Sequence, residues 1–364
     1  MRFRSEDARG RTEWAFREEG TGREVIFTDV ELTPLSYDDL VGAKSNKALV
    51  IPLEWRNAKI VRSEIPGIEA EQFASVNASL ESNFTSKGIG LVRGGWLPFG
   101  LAVTGDIVVL LDRCIVVDLV GRFRDGVKRQ GEGRDLLDLF DTAGIRINPL
   151  LYALEGRAQE NPTLELVADQ IEWAARRLQA ALPKASLVAT DERGLQGLMG
   201  IIRDMQTSMA QKEMFLLRLA PQIAAPVSRE KRDALWGKVL NEARDCGVET
   251  NSLVVLATLS AISVPNGGSP ARRLLKFKPG YADKDARNAL ADLRSIELLL
   301  ALFALFPEQR VMLCTADRDL ALFWAGIRAS DFSSDAGRAS FNLSPSDALL
   351  PGDALARWLA AASR

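Results

Sequence analysis

Two carboxylates, Asp112 and Asp317, each follow an apolar run in the sequence. The runs are IVVLL at 107–111 and VMLCT at 311–315, and their composition predicts strands buried on both faces of a parallel sheet. Ligands of such sheets bind beyond the carboxyl ends of the strands. A carboxylate there is partly desolvated, which costs free energy unless it is paired or binds a metal ion. The two acids therefore predict a site, although capping of the helices that follow also explains them.

A third polar group lies on one face of the helix predicted to precede the second run. Asp285, Asn288 and Asp292 are spaced by three and four residues, so they share a face of an otherwise apolar helix. Such an oxygen-rich surface suits Mg²⁺ or Mn²⁺. The alternative is a solvated face on which Asp285 is favoured by the helix dipole.

The amino-acid composition limits the kinds of catalysis and of metal site that this chain can contain. The 364 residues include no histidine, which excludes Ser-His-Asp and Cys-His catalysis, His-ligated zinc and imidazole acid–base chemistry. The three cysteines are far apart, and without a CxxC pair neither a zinc cluster nor a disulfide framework is expected. An enzyme with this composition must use carboxylates, lysines, hydroxyls or a metal ion.

The net charge of −2 gives no overall attraction to polyanions, so a nucleic-acid partner needs local basic segments. Two segments qualify, and the second contains aromatic residues of the kind that stack on single strands. Their basic residues are Arg122, Arg124, Lys128, Arg129 and Arg134 in the first, and Arg272, Arg273, Lys276 and Lys278 in the second. The alternative is that both segments are solvated loops.

No apolar run is long enough to span a bilayer, since the longest, 296–306, contains Glu297. The N-terminal 20 residues are charged throughout and do not form a signal peptide. We therefore expect a cytoplasmic protein that makes no membrane contact.

The order of elements from residue 106 onward predicts an α/β fold. Strand, helix and strand are followed by many helices and then by a strand and a helix, which favours a three-layer sandwich with a central, mainly parallel sheet. We expect an N-terminal α/β region of unknown role at 1–105, a domain at 106–335 with a helical insertion at about 163–262, and a C-terminal segment with a helix at 336–364.

Three further segments of the chain have local patterns that indicate their secondary structure. The segment after Pro66, up to about residue 84, predicts a helix. The glycine-rich stretch GIGLVRGGWLPFG at 88–100 favours a turn or hairpin over a phosphate-binding loop, because Arg93 stands where a dinucleotide fingerprint needs its third glycine. The apolar run NSLVVLATLSAI at 251–262 fits either a buried helix or a strand.

Four motifs in this order resemble PIN-domain nucleases: VVLLDRC, INPLLYALEG, NALADLRSIEL and CTADRDL. The resemblance covers roughly residues 106–160 and 280–330. It implies four catalytic acids, which are Asp112, Glu155, Asp292 and Asp317. It also implies a site hydroxyl at Thr315 and an accessory acid at Asp319, with Asp112, Asp292, Asp317 and Asp319 as metal ligands and Asn288 and Asp285 as accessory residues. For the second acid, the sequence offers the alternatives Asp138, Asp141, Glu165 and Asp169.

The resemblance implies Mg²⁺- or Mn²⁺-dependent hydrolysis of RNA or single-stranded nucleic acid. Two departures leave an alternative open. Cys114 stands where many members carry Asn or Ser, and about 100 extra residues separate the second and third acids. A catalytically degenerate PIN-like module that binds RNA or acts as a scaffold fits the same sequence, as does a helical interaction protein whose acids are only caps. The insertion could mediate homo-oligomerisation or bind a protein partner.

Overall fold

The computed structural model describes residues 2–4, 13–18, 20–28, 31–43, 48–83, 88–102, 107–131, 137, 145–155 and 164–362. About 50% of the chain is helix and 23% is strand, which confirms a mixed α/β protein. Arg134, Asp138 and Asp141 lie outside the described residues. No helix among the described residues is both long and apolar enough to cross a membrane.

The elements follow one another in a mixed order. The strands are β1 (Arg2–Arg4), β2 (Glu13–Arg17), β3 (Glu24–Phe27), β4 (Glu31–Leu32), β5 (Ala48–Ser63), β6 (Phe73–Asn83), β7 (Ile89–Val92), β8 (Gly95–Pro98), β9 (Ile107–Leu111), β10 (Phe123–Arg124), β11 (Val127–Lys128), β12 (Arg146–Asn148), β13 (Ser186–Leu187), β14 (Arg310–Thr315), β15 (Ala329–Asp335) and β16 (Arg338–Leu343). The helices are α1 (Tyr37–Gly42), α2 (Phe99–Ala102), α3 (Arg113–Arg122), α4 (Leu150–Glu155), α5 (Leu164–Ala181), α6 (Glu192–Ile223), α7 (Arg229–Asp245), α8 (Leu253–Ser263), α9 (Pro270–Leu274), α10 (Asp283–Leu305), α11 (Arg318–Ile327) and α12 (Ala354–Ala362).

The two strands predicted to carry the acids are neighbours in a central sheet. Its strand order is β13-β12-β9-β14-β7-β8, and the first four strands are parallel. Val109 of β9 pairs with Ile147 of β12 on one side and with Met312 of β14 on the other. Because Leu111 pairs with Cys314, the residues that follow these two strands emerge side by side.

The glycine-rich stretch is a hairpin, as predicted, formed by β7 and β8. β7 pairs antiparallel with β14, so the central sheet is mixed and includes residues 89–98 from the predicted N-terminal region. Gly90 permits this close approach, because a Cβ added there would lie 2.5 Å from the sulfur of Met312. A larger residue at this position would push β7 away from β14.

The prediction of a helix after Pro66 is wrong, since Phe73–Asn83 forms β6, paired antiparallel with the long strand β5. The physical reason is that apolar residues recur at every second position of this segment, which is the period of a strand and not of a helix. Ala74, Val76, Ala78 and Leu80 alternate with polar residues, as in a strand with one covered face. β1 to β6 form a six-stranded antiparallel sheet with a small hydrophobic cluster of its own.

Residues 164–263 hold four helices, α5 to α8, together with the short edge strand β13. The ambiguous run at 251–262 is helical, and every residue of α8 is buried. β13 pairs in parallel with β12, so this part of the chain extends the central sheet as well as adding helices. One large hydrophobic core spans the chain from Leu35 to Trp358.

Candidate functional site

Asp112 follows β9 at the carboxyl edge of the central sheet and is only 7% exposed. Its backbone N–H donates to the Cys314 carbonyl at 3.0 Å, which continues the β9–β14 ladder by one bond. Its carboxylate accepts from the Ile115 N–H at 2.8 Å and thereby caps α3. Burial raises the pKa of Asp112 above its usual value, although hydrogen bonds from the Thr315 side chain and the Ile115 and Ala316 backbone oppose this shift.

Asp317 lies two residues beyond the end of β14 and caps α11. Its carboxylate accepts from the backbone N–H groups of Asp319 at 2.8 Å and Leu320 at 3.1 Å. The fully buried Thr315 hydroxyl accepts from the Asp317 N–H at 2.9 Å and also bonds to the Asp112 side chain. The capping interpretation is thus correct for both acids, and Thr315 links the two caps.

Asp292 approaches the same edge from α10. Its pKa is raised to about 6, first by burial, while the negative charges of Asp317 and Asp112 add to the shift and Lys276 opposes it. Three carboxylates from three distant parts of the sequence are therefore close enough to repel one another. We call Asp112, Asp292 and Asp317 the acid cluster.

The second basic segment lies against the predicted acids. The Lys276 ammonium is 2.9 Å from the Asp292 carboxylate, and the Arg273 guanidinium is 2.7 Å from Asp319. A third pair at 2.6 Å joins Lys278 and Asp285, and it lowers the pKa of Asp285. Basic residues that the sequence predicted to bind a nucleic acid therefore pair with the protein's own carboxylates.

The remaining basic residues differ in exposure. Arg272 is only 8% exposed and donates to the Ala224 carbonyl at 2.8 Å, and Arg122 is only 9% exposed at the end of α3. Arg124, Lys128 and Arg129 lie in or beside the β10–β11 hairpin, where Arg124 and Arg129 are exposed. The exposed part of the two basic segments is therefore smaller than the sequence suggests.

Glu155 is the last residue of α4, and its side chain lies outside the description. The backbone at the end of α4 is hydrogen-bonded to α10, because the Arg294 guanidinium donates to the Leu154 carbonyl. This bond places the end of α4 beside the helix that carries Asp292. Asn288 is exposed on α10, and the alternatives Glu165 and Asp169 are exposed on α5.

Sequence reasoning did not identify two residues near the acid cluster. Arg318 lies between the acids Asp317 and Asp319, and its guanidinium donates to the carbonyls of Leu40, Val41 and Ala43 at the end of α1. Tyr37 at the start of α1 is half-buried and interacts electrostatically with Arg273 and Asp319. No spacing pattern links residues about 280 positions apart, so only the CTADRDL motif itself could have drawn attention to Arg318.

Within the described part of the chain, no three His, Cys, Asp or Glu side chains are arranged so that they could hold a metal ion. No protein-family model, no curated protein and no solved structure matches this chain.

Proposed function

We propose that this protein is a metal-dependent endonuclease that hydrolyses phosphodiester bonds of RNA or single-stranded nucleic acid. The observation that carries the proposal is the convergence of Asp112, Asp292 and Asp317 at the carboxyl edge of parallel strands, where each carboxylate interacts with the others. Like charges held together in buried and half-buried positions cost free energy, and carboxylates with pKa values shifted in this way cluster at functional sites.

The PIN-like identity and the three-layer sandwich are part of the same proposal. The support is that the strands before the first and fourth acids of the resemblance are adjacent, and that the third acid lies beside them on a helix. Cytoplasmic location also belongs to the proposal, supported by the three widely spaced cysteines, which include no CxxC pair.

The donor set fits Mg²⁺ or Mn²⁺ in its chemistry, since these ions prefer oxygen ligands. In the described arrangement these carboxylates have other partners and do not form a metal-holding group, so Asp112, Asp292 and Asp317, with Asp319 beside them, would have to turn towards one another to hold the ion. A divalent charge would then relieve the repulsion that contributes to the raised pKa of Asp292. When bound, the ion supplies Lewis-acid activation of water and stabilises the charge of the leaving oxygen.

The chain's own groups have separate tasks in this proposal. Thr315 orients the Asp112 carboxylate by a hydrogen bond. Lys276 and Arg273 balance the charge of Asp292 and Asp319 before substrate arrives, and their side chains are 42% and 49% exposed. Both can therefore turn to a phosphate when a cation takes over their carboxylates. Phe277, by contrast, is 8% exposed, so base stacking on this ring does not support the proposal.

The test uses Asp112→Asn and Asp317→Asn with a labelled single-stranded RNA and Mn²⁺. Asparagine is as good a helix cap as aspartate, so both variants keep α3 and α11 but lose a negative charge. We expect cleavage to fall by about 10³-fold or more, as for loss of a principal electrostatic group. The matched control is Asp118→Asn, on the exposed face of α3, which keeps wild-type cleavage. Unchanged cleavage in both site variants would overturn the proposal.

A second candidate is the catalytically degenerate module that binds RNA or acts as a scaffold. The observation that favours it is that Lys276 and Arg273 already pair with predicted metal ligands, Asp292 and Asp319. Calorimetric titration with Mn²⁺ separates the candidates. A nuclease site gives binding heat that Asp112→Asn removes, whereas a degenerate site gives none that depends on these carboxylates.

A further inference from the structure

A second site lies away from the acid cluster, in a groove beside β16. Its cavity volume is about 710 Å³, and we call it the β16 groove. Its walls are β16, α6, α10, the α7–α8 connection and the end of α12. The groove thus joins the helical segment 164–263 to the C-terminal part of the chain.

The lining shows that the groove follows the edge of β16 and not its face. A cavity over one face of the two-stranded β15–β16 sheet would touch residues of both strands. Five consecutive residues, 339–343, line this groove, and none of β15 does. Among the described strands, β16 pairs only with β15, so the edge towards the groove has no strand partner there.

A strand edge offers backbone N–H and C=O groups at a regular spacing of about 3.3 Å per residue. An extended peptide can satisfy them by adding a strand, a recognised mode of peptide binding. Five lining residues provide an edge about 16 Å long.

The charged side chains that line the groove indicate the charge of the molecule that it binds. Lys212 and Glu297 face each other at 2.7 Å, with side chains 11% and 20% exposed, so this pair is neutral. Glu249 also lines the groove and is exposed, which leaves one net negative charge. A basic side chain complements it.

The groove also has an apolar end. Leu359 of α12 is 47% exposed, and it lines the groove beside the buried Trp358. An exposed leucine at the mouth of a cavity provides a contact for an apolar side chain, and burying it there is favourable.

We propose that the β16 groove binds an extended peptide segment of a protein partner, which adds as a strand to β16. The peptide presents a basic side chain to Glu249 and an apolar side chain to Leu359. This inference does not depend on the nuclease proposal, because the groove shares no residue with the acid cluster.

The experiment selects peptides from a phage-displayed library of unconstrained decapeptides on the immobilised full-length chain. We expect an enriched family with a basic and an apolar position. The selected peptide is then resynthesised with single N-methylated backbone amides. Since only alternate amides of an added strand face β16, methylation at every second position weakens binding at least about tenfold, and the intervening positions tolerate it.

Two variants locate the site. Ser208→Trp fills the groove from α6, and Glu249→Lys reverses its charge, so each weakens the selected peptide. Glu230→Lys, an exposed residue of α7 outside the groove, is the matched control and leaves affinity unchanged. Thermal unfolding of each variant shows that the fold is retained.

Three results would overturn the inference. One is the absence of any enriched family that discriminates between wild type and Ser208→Trp. Another is a selected peptide whose affinity is the same whichever of its backbone amides is N-methylated. The third is concentration-dependent self-association of the chain that Ser208→Trp abolishes, because a second copy would then be the occupant.

Discussion

At the scale of single residues, Lys276 connects the basic segment to the acid cluster. It has a left-handed φ of 57°, which costs a non-glycine residue of the order of 1–3 kcal/mol. Lys276 lies two residues beyond the end of α9, and its side chain reaches Asp292 at 2.9 Å. The ion pair lowers the pKa of Asp292 against the opposing effect of burial. Lys276 therefore adjusts the charge of the cluster.

We expect Mn²⁺ affinity to depend on pH with a midpoint near the Asp292 pKa of about 6. A carboxylate must lose its proton to bind a metal ion, so affinity rises as pH increases through this value. Lys276→Met removes the ammonium that lowers this pKa, so the midpoint moves to higher pH. Calorimetric titrations with Mn²⁺ across a pH series measure both midpoints.

Lys238→Met is the control, because Lys238 is exposed on α7 and lies outside the groups that shift Asp292. Its midpoint should equal that of the wild type. The same midpoint in wild type and Lys276→Met would contradict the role assigned to Lys276.

At the scale of elements, α1 and α11 are joined next to Asp317. The last carbonyls of a helix lack partners within the helix, and a basic side chain can satisfy them. Arg318 does this for Leu40, Val41 and Ala43. The segment before α1 is fixed as well, since Leu35 exchanges two backbone hydrogen bonds with Trp96 of β8. An N-terminal element thus forms part of the site's surroundings.

Arg318→Ala should destabilise the protein by about 1–3 kcal/mol, because it removes charge-assisted bonds to three carbonyls. Urea unfolding measures the loss, and limited proteolysis reports whether the chain near residues 40–43 becomes cleavable first. Lys238→Ala, which removes a basic side chain of similar length, should leave both unchanged. Equal stability of Arg318→Ala and wild type would show that the three bonds contribute nothing.

At the scale of the whole molecule, the predicted domain at 106–335 shares its core with the rest of the chain. The large core includes Leu35, Leu91 and Trp96 together with residues of β9, α10 and α11. β7 also occupies the edge of β14, so removal of residues 1–105 would leave that edge unpaired and apolar. Exposed apolar strand edges favour aggregation.

We therefore expect residues 106–335, expressed alone, to lack cooperative unfolding and to aggregate, whereas the full chain unfolds as one unit around its shared core. Calorimetry and an amide NMR spectrum distinguish the two states. A segment extending from residue 88 to the end of the chain is the comparison, because it keeps β7, β8 and α12. A cooperative transition of the 106–335 segment would contradict this expectation.

The sequence by itself determined the apolar strands at 107–111 and 311–315 and the acids that follow them. It could do so because an unbroken apolar run and a carboxylate at its end are local signals. The hairpin at 88–100 was also predictable, from its glycines. The strand at 73–83 was missed because its alternation involves small residues, Ala74 and Ala78, and because its pairing with β5 leaves no local signal in the sequence.

Only the tertiary structure decided which charges face each other. The parallel register of β9 and β14 sets Asp112 beside Thr315, and α10 then brings Asp292 to the same edge. Likewise, the pairing of Lys276 with Asp292 and of Lys212 with Glu297 joins residues 16 and 85 positions apart. Sequence patterns record the period of a single element, whereas electrostatic energy depends on distances between elements, and those distances exist only after folding.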